Sequence, residues 1–284
     1  MKLLVIRALK SLGYDLHIDA SHLGVRFEHE GRDLVFLFKG PLTRNLRFAL
    51  PDLLDQDLVG KELFCQILND INCHVSQVKA CCYDDKMWLV SERSYLNGDD
   101  METIVSSIIY SIEEGIDYLN EHYGRVLVEE AIQKGAVCSE AKSKAESAKQ
   151  LKAKKDMLKR VLFKLGYSPK EESRKLISVR YQMKHFYIFV DWSEDSPFIK
   201  IEFPAFHFFG EGERPLMEAV CNKMNRSFQM MRVYTDEDAR CLHAVYDFLY
   251  TSEESVEENI GTAFKTLGLV RPAFKYALGQ FSDT

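Results

Sequence analysis

The predicted fold depends on two stretches of the chain, "LFCQILNDIN" at Leu63–Asn72 and "LMEAVCNKMN" at Leu216–Asn225. In both, the apolar residues follow one another at spacings of one, three, one and three, and both end in an N-x-x-N motif. Such spacing places apolar side chains on one face of an α-helix, so each stretch is predicted to be an amphipathic helix. The two stretches lie 153 residues apart, which indicates that one domain occurs twice.

The same offset of 153 residues recurs outside these helices. The segment "LGYDL" at Leu12–Leu16 returns as "LGYSP" at Leu165–Pro169, and "FALP" at Phe48–Pro51 returns as "IEFP" at Ile201–Pro204. Chance could produce one such match, but not several matches in one register. The sequence therefore predicts a tandem duplication of a single fold.

The predicted boundaries place the first repeat at residues 1–124 and the second at residues 155–284. The segment 125–154 is rich in lysine and alanine and contains no proline, so we expect a solvated helical linker that runs into the second repeat. Residues 134–160 carry nine Lys and Arg against three Asp and Glu. We favour a solvated spacer over a contact surface for an acidic partner or domain.

The predicted order of elements within each repeat is helix, three antiparallel strands, helix, two strands, helix. Two hairpin turns are expected in the first repeat, at Glu30–Arg32 and at Asp84-Asp85. The third strand is expected at Asn45–Leu50, and Pro204 is expected to end its counterpart. In the last helix the repeat slips by one residue, which we attribute to helix ends. The predicted fold class is α+β, with antiparallel sheets that helices cover on one face.

The bulk composition is that of a folded globular protein. The 284 residues are 46% hydrophobic and 28% charged, and the net charge of −6 argues against general affinity for nucleic acid or anionic membranes. No segment approaches the ~18 consecutive apolar residues of a membrane-spanning helix. The seven cysteines are odd in number and lack C-x-x-C spacing, so we expect reduced thiols, mostly buried, in a cytoplasmic protein.

A family resemblance rests on the residues that follow each N-x-x-N motif, namely a strand with a basic residue, then an aromatic residue and an acidic turn. The first repeat has Asn69, Asn72, Lys79, Tyr83 and Asp84-Asp85. The second repeat has Asn222, Asn225, Arg232, Tyr234 and Asp236-Glu237-Asp238. This pattern resembles the YbjN-like family of bacterial sensory-transduction regulators, whose fold is like that of type III secretion chaperones.

The resemblance implies a non-catalytic, protein-binding or regulatory role and supplies no catalytic residues. This chain departs from the family in having two copies. It also has Ile71 and Met224 where the family often has a tryptophan before the second asparagine. The asparagines themselves have two interpretations: connectors between helix and strand, which we favour, or binding residues.

Common catalytic and metal-binding motifs are absent from the sequence. It contains no G-x-S-x-G, H-E-x-x-H or Walker motif. The best metal candidate is a group of residues close in sequence: Cys65, Cys73, His74, Cys81 and Cys82. Adjacent strand residues such as Cys81 and Cys82 point to opposite faces, and the second repeat lacks cysteines at the matching strand positions. We therefore predict no catalytic residues, no metal and no cofactor.

The stretch "FPAFHFFGEGERP" at Phe203–Pro215 is the most unusual of the chain. The offset places it after the third strand of the second repeat, where the first repeat has an aliphatic and acidic connection. Phe206, Phe208 and Phe209 are predicted to lie in a loop. We favour rings that plug the end of the core, and the alternative is an exposed patch that binds a partner.

The sequence as a whole predicts a non-enzymatic protein-binding module, regulatory or chaperone-like, whose partner is another protein or a peptide. Phe206, Phe208 and Phe209 are its candidate partner-binding residues. The two repeats are expected to form an intramolecular pseudo-dimer. The alternative is a small-ligand-binding protein or enzyme that uses a cleft between the repeats. Binding of nucleic acid to the lysine-rich segment is disfavoured, because aromatic residues do not alternate with the lysines.

Overall fold

The computed structural model describes residues 1–18, 24–37, 45–95, 100–132, 148–173, 176–192, 197–236, 238–249 and 252–282. The chain combines helices with two antiparallel six-stranded sheets, which confirms the mixed helix-and-strand class expected from the sequence. It divides into two compact units, Met1–Lys142 and Ser143–Thr284, called unit 1 and unit 2 below.

Unit 1 contains one of the sheets together with its helices. Its elements are α1 (Lys2–Ser11), β1 (Leu16–Ile18), β2 (Gly24–His29), β3 (Arg32–Leu37), β4 (Asn45–Asp55), α2 (Gln56–Val59), α3 (Lys61–His74), β5 (Val78–Tyr83), β6 (Lys86–Ser94) and α4 (Met101–Ile132). The strand order across the sheet is β1-β2-β3-β4-β6-β5, and every pair is antiparallel. The strand β5 therefore lies at one edge.

Unit 2 contains the other sheet, with the corresponding order of strands. Its elements are α5 (Ala148–Lys164), β7 (Lys170–Ser173), β8 (Leu176–Tyr181), β9 (Lys184–Trp192), β10 (Pro197–Phe208), α6 (Arg214–Ser227), β11 (Met231–Asp236), β12 (Cys241–Leu249), α7 (Glu253–Gly268) and α8 (Val270–Ser282). The order across the sheet is β11-β12-β10-β9-β8-β7. The helices α3 and α6, and the edge strands β5 and β11, begin and end 153 residues apart.

The one-residue slip in the last helix arises from loop lengths and not from helix ends. Unit 1 joins β5 to β6 through the two residues Asp84 and Asp85, both with positive φ, as a tight hairpin turn requires. Unit 2 joins β11 to β12 through four residues, so the offset rises to 155 in β12. The next connection is shorter in unit 2, and the first residues of α4 and α7, Met101 and Glu253, are 152 apart.

Each sheet has a strand that the sequence did not predict. The strands β1 and β7 have three and four residues and lie at the sheet edges opposite β5 and β11. All four residues of β7 are exposed, so no alternation of apolar and polar residues marks it. The helix expected at the end of unit 2 is also divided, into α7 and α8.

The third strand of each unit does not end where the sequence suggested, at Leu50 or Pro204. The strands β4 and β10 continue to Asp55 and Phe208 through an irregularity in their pairing with β6 and β12. Proline has no backbone N–H to donate, so it interrupts the ladder, but a bulge tolerates it and pairing resumes beyond. Phe206 and Phe208, predicted to lie in a loop, are therefore in strand β10, and Phe209 follows its end.

The core of each unit lies between its helices and one face of its sheet. In unit 1 the core includes Phe27, Phe36, Phe48 and Phe64, and in unit 2 it includes Phe186 and Phe264, all of them fully buried. Side chains alternate along a strand, so every other residue projects on the opposite face. We call this opposite face the second face of the sheet.

The predicted linker is described only at its two ends. Helix α4 extends to Ile132 and helix α5 begins at Ala148, while residues 133–147 lie outside the described residues. Within the described ranges, no helix combines the length and the apolar character needed to cross a lipid bilayer.

Candidate functional site

The second asparagine of each N-x-x-N motif connects the middle helix to the edge strand. The side chain of Asn72 donates from Nδ2 to the carbonyls of Leu68 and Ala80, both at 2.8 Å, and accepts at Oδ1 from the N–H of Ala80 at 3.1 Å. Asn225 makes the same pair of bonds with Val233, at 2.9 and 2.7 Å. These bonds confirm the connector interpretation for the second asparagine of each motif.

The basic residue after each motif also has a structural partner. Lys79 Nζ lies 2.6 Å from Glu92 Oε2, and Arg232 Nη2 lies 2.7 Å from Asp247 Oδ2. All four side chains are buried on the second faces of their sheets. Each pair joins the edge strand to its neighbour, and the loss of one partner would leave a buried charge, which is costly.

The three candidate phenylalanines lie in different surroundings. Phe206 is only 5% exposed and belongs to the core, with its ring centroid 5.7 Å from that of Phe274. Phe209 is partly buried and packs against the same core. Phe208 is 66% exposed. The plug interpretation therefore fits Phe206 and Phe209, and the patch interpretation fits Phe208 alone.

Phe208 projects from the second face of the sheet of unit 2. In the ladder it pairs with Cys241, and paired residues of antiparallel strands place their side chains on the same face. Cys241 in turn pairs with Asp236 across the β11–β12 hairpin. His243 follows two residues later on the same strand and thus on the same face.

These side chains converge at the end of the hairpin. Cys241 Sγ lies 3.2 Å from His243 Nε2, and Asp236 Oδ2 lies 3.7 Å from the same nitrogen. The three potential ligand atoms all lie within 4.8 Å of one another. We call Asp236, Cys241 and His243 the hairpin cluster.

His243 is fixed by two further side chains. Its Nδ1 lies 2.5 Å from Glu202 Oε1 on strand β10, and its ring stacks on Tyr234 with centroids 5.3 Å apart. A carboxylate only accepts hydrogen bonds, so Nδ1 carries the proton of this bond. Burial alone would raise the pKa of Glu202, but the hydrogen bond of His243 and the charge of Lys200 hold that pKa below its ordinary value.

A nucleophilic role for Cys241 is not supported by its surroundings. The contacts from Cys241 to His243 and from His243 to Glu202 resemble those of a catalytic nucleophile, its base and the group that orients the base. However, burial raises the pKa of the Cys241 thiol, and the carboxylates of Asp236 and Glu202 raise it further. Reactive cysteines need the opposite, an electropositive setting that favours the thiolate.

The group that the sequence offered as the best metal candidate does not form such a cluster among the described residues. Its members are Cys65, Cys73, His74, Cys81 and Cys82. Cys81 is buried on the second face of the sheet, whereas Cys82 packs against the core, as their adjacent positions predicted. The six described cysteines are free thiols, and only Cys81, Cys221 and Cys241 are buried, fewer than expected. Cys138 lies outside the described residues.

A second polar cluster lies in unit 1, around His29. Its Nε2 is 2.6 Å from Glu113 Oε1, and its Nδ1 is 2.8 Å from the hydroxyl of Tyr14. Glu30 also lies nearby. Through these bonds His29 joins β2 to Glu113 of α4 and to Tyr14.

Sequence reasoning missed the hairpin cluster, although part of its signal was visible. Cys241 and His243 form a C-x-H pair on a predicted strand, and this spacing places both on one face. In unit 1 the positions equivalent to Asp236, Cys241 and His243 hold Tyr83, Lys86 and Trp88, so the cluster belongs to unit 2.

No protein-family model matches this chain, and no curated protein or solved structure matches it either.

Proposed function

We propose that the protein is a non-enzymatic protein-binding module, regulatory or chaperone-like, built from two YbjN-like domains with a type III secretion chaperone-like fold. The duplicated order of helices and antiparallel strands supports this proposal.

The observation that carries the proposal is the exposure of Phe208 on a well-anchored strand. The flanking residues Phe206 and Phe209 pack into or against the core, and the N–H of Phe209 donates to the carbonyl of Arg240 at 3.1 Å. The ring of Phe208 is thus presented to solvent from a rigid support. Aromatic side chains presented in this way are common anchors in protein interfaces.

The charges around Phe208 define the chemistry of the partner. The exposed side chain of Glu211 lies in the loop that follows β10, and that of Asp238 lies in the turn between β11 and β12. In the same turn, Arg240 Nη1 lies 3.9 Å from Glu211 Oε2. The charged side chains beside Phe208 are therefore mostly acidic, with Glu211 and Asp238 against Arg240. The expected partner is a polypeptide segment in which an apolar residue is flanked by lysine or arginine.

Peptide binding tests this proposal directly. Labelled peptides with a central leucine or phenylalanine, flanked by either lysines or glutamates, are titrated with the full-length protein in the presence of a chelator. We expect the basic peptides to bind, with an affinity that falls as salt rises. Phe208→Ala should weaken binding at least about tenfold, because it removes an interface anchor.

The matched control is Phe163→Ala on helix α5, since Phe163 is also exposed, at 62%. This variant should bind the basic peptides like the wild type. Equal weakening by both variants, or no preference for basic peptides, would contradict the proposed surface.

The association of the two repeats as a pseudo-dimer stays a prediction. A protease site inserted within residues 133–147 allows the chain to be cut after folding. Halves that stay together on size-exclusion chromatography would support the pseudo-dimer, and halves that separate would contradict it.

A further inference from the structure

Two distances within the hairpin cluster are close to those between neighbouring ligands of a tetrahedral metal ion. Zn–S bonds of about 2.3 Å and Zn–N or Zn–O bonds of about 2.0–2.2 Å place neighbouring ligand atoms roughly 3.4–3.6 Å apart. The separations of 3.2 Å between Cys241 and His243 and of 3.7 Å between His243 and Asp236 lie on either side of this range. The third pair, Cys241 Sγ and the Asp236 carboxylate, lies within 4.8 Å, so an ion would fit once these side chains shift towards it.

Two of the ligands are already oriented by a second contact. The Nδ1–H of His243 donates to Glu202, which leaves Nε2 as the ring nitrogen that faces Cys241 and Asp236. Asp236 accepts the N–H of Ala239 at Oδ1, at 2.9 Å, which leaves Oδ2 facing His243. A carboxylate behind a histidine ligand is the common outer-shell arrangement of metal sites.

From this geometry we infer that Asp236, Cys241 and His243 form a binding site for a divalent transition metal of the zinc class. A thiolate, an imidazole and a carboxylate together favour Zn²⁺ or Co²⁺ over Mg²⁺ or Ca²⁺, which prefer oxygen ligands alone. The three side chains supply three ligands and leave the fourth position for water or for a group of a bound partner.

Access to the site is from the side of Asp236. Cys241 is only 1% exposed, whereas the side chain of Asp236 is 38% exposed. The ion would therefore enter at the end of the hairpin and contact the buried thiolate last. Phe208 is paired with Cys241 on the next strand, so the site adjoins the proposed protein-binding surface without sharing its residues.

Unit 1 provides a natural contrast within the same chain. Its hairpin has Lys86 at the position of Cys241, and Ala49 at the position of the orienting Glu202. A lysine ammonium repels a cation and offers no lone pair while protonated. The duplicated fold is therefore not itself a metal site, and the proposal depends on the side chains specific to unit 2.

The test uses Co²⁺ as a spectroscopic probe with the metal-free, full-length protein. Titration should give a cobalt–thiolate charge-transfer band that saturates at one ion per chain and is displaced by Zn²⁺. Cys241→Ser should abolish the band, and His243→Gln and Asp236→Asn should weaken Co²⁺ binding at least about tenfold. Glu202→Gln should weaken it about 10- to 100-fold, as expected for an outer-shell partner.

The control is the double variant Cys73→Ser and His74→Gln, which removes the other neighbouring cysteine and histidine of the chain. It should keep the full band. Circular dichroism establishes that each variant is folded, and Zn²⁺ should raise the melting temperature of the wild type but not of His243→Gln.

A band that survives Cys241→Ser, or no band in the folded wild type with excess Co²⁺, would overturn the metal site. Neither result bears on the peptide titration, which is performed with a chelator.

Discussion

The asparagines that bind the edge strands should contribute several kilocalories per mole to stability. Asn225 is 1% exposed, and Val233, whose N–H and carbonyl it satisfies, is fully buried. Asn225→Ala would leave both backbone groups without this partner. An unsatisfied buried group costs about 1–3 kcal/mol, so the loss of both bonds should lower the free energy of unfolding by about 2–6 kcal/mol.

The equivalent change in unit 1, Asn72→Ala, should cost at least as much, since Asn72 also donates to the carbonyl of Leu68. The sequence allows the two units to be followed separately, because Trp88 lies in unit 1 and Trp192 in unit 2. Urea unfolding is measured by tryptophan fluorescence in Trp192→Phe and Trp88→Phe backgrounds. Each asparagine variant should shift the transition reported by the tryptophan of its own unit.

Ser227→Ala is the matched control for Asn225→Ala. Ser227 lies on the same helix and donates to the carbonyl of Lys223 at 2.8 Å, but it is exposed. Water can replace that bond, so we expect a change within about 0.5 kcal/mol. If Asn225→Ala changed stability no more than Ser227→Ala does, burial of the Val233 backbone groups would not be the source of the stabilisation.

Two further changes test the packing and the charges of unit 2. Phe206→Ala should cost about 3–5 kcal/mol in urea unfolding, whereas Phe208→Ala should cost about 0.5 kcal/mol or less, and equal losses would refute the division between core and surface. Hydrogen bonds from Lys155 and Lys159 lower the pKa of Glu171 to about 2. Because this folded-state pKa is below the unfolded value of ~4.3, the carboxylate stabilises the fold at neutral pH and loses that effect as pH falls from about 5 towards 2. Glu171→Gln should therefore lose less stability than the wild type over that range in acid unfolding, and parallel curves would contradict the assignment.

The elements that the sequence predicted well are those with strong periodicity. The apolar spacing from Leu63 to Ile71 marked helix α3, and its copy at the same offset marked α6. The strands β1 and β7 were missed because three or four residues are too few for a period of two to stand out. The sequence predicts a strand end at Pro204 because the bulge there depends on pairing with β12, which the sequence of a single strand does not reveal.

The bulge also explains why the sequence alone does not separate the buried Phe206 from the exposed Phe208. Strict alternation from the buried Phe203 would put Phe206 and Phe208 on the same face. The irregularity between Phe203 and His207 breaks this parity, so Phe206 enters the core while Phe208 remains exposed.

The hairpin cluster was hidden for a related reason. The spacing of Cys241 and His243 could be seen, but the approach of Asp236 depends on the cross-strand register. That register pairs Asp236 with Cys241 across two strands, and Glu202 arrives from a third strand, β10.

The unequal hairpin turns have a consequence for protein engineering. The tips differ by two residues, yet Val78 still pairs with Ser91 in unit 1 as Met231 pairs with Tyr246 in unit 2. A loop can thus be exchanged without disturbing the ladder beneath it. We therefore expect the hairpin β5–β6 of unit 1 to accept the four-residue turn of unit 2 in place of Asp84-Asp85. The same exchange would give a chain whose two hairpins have identical turns.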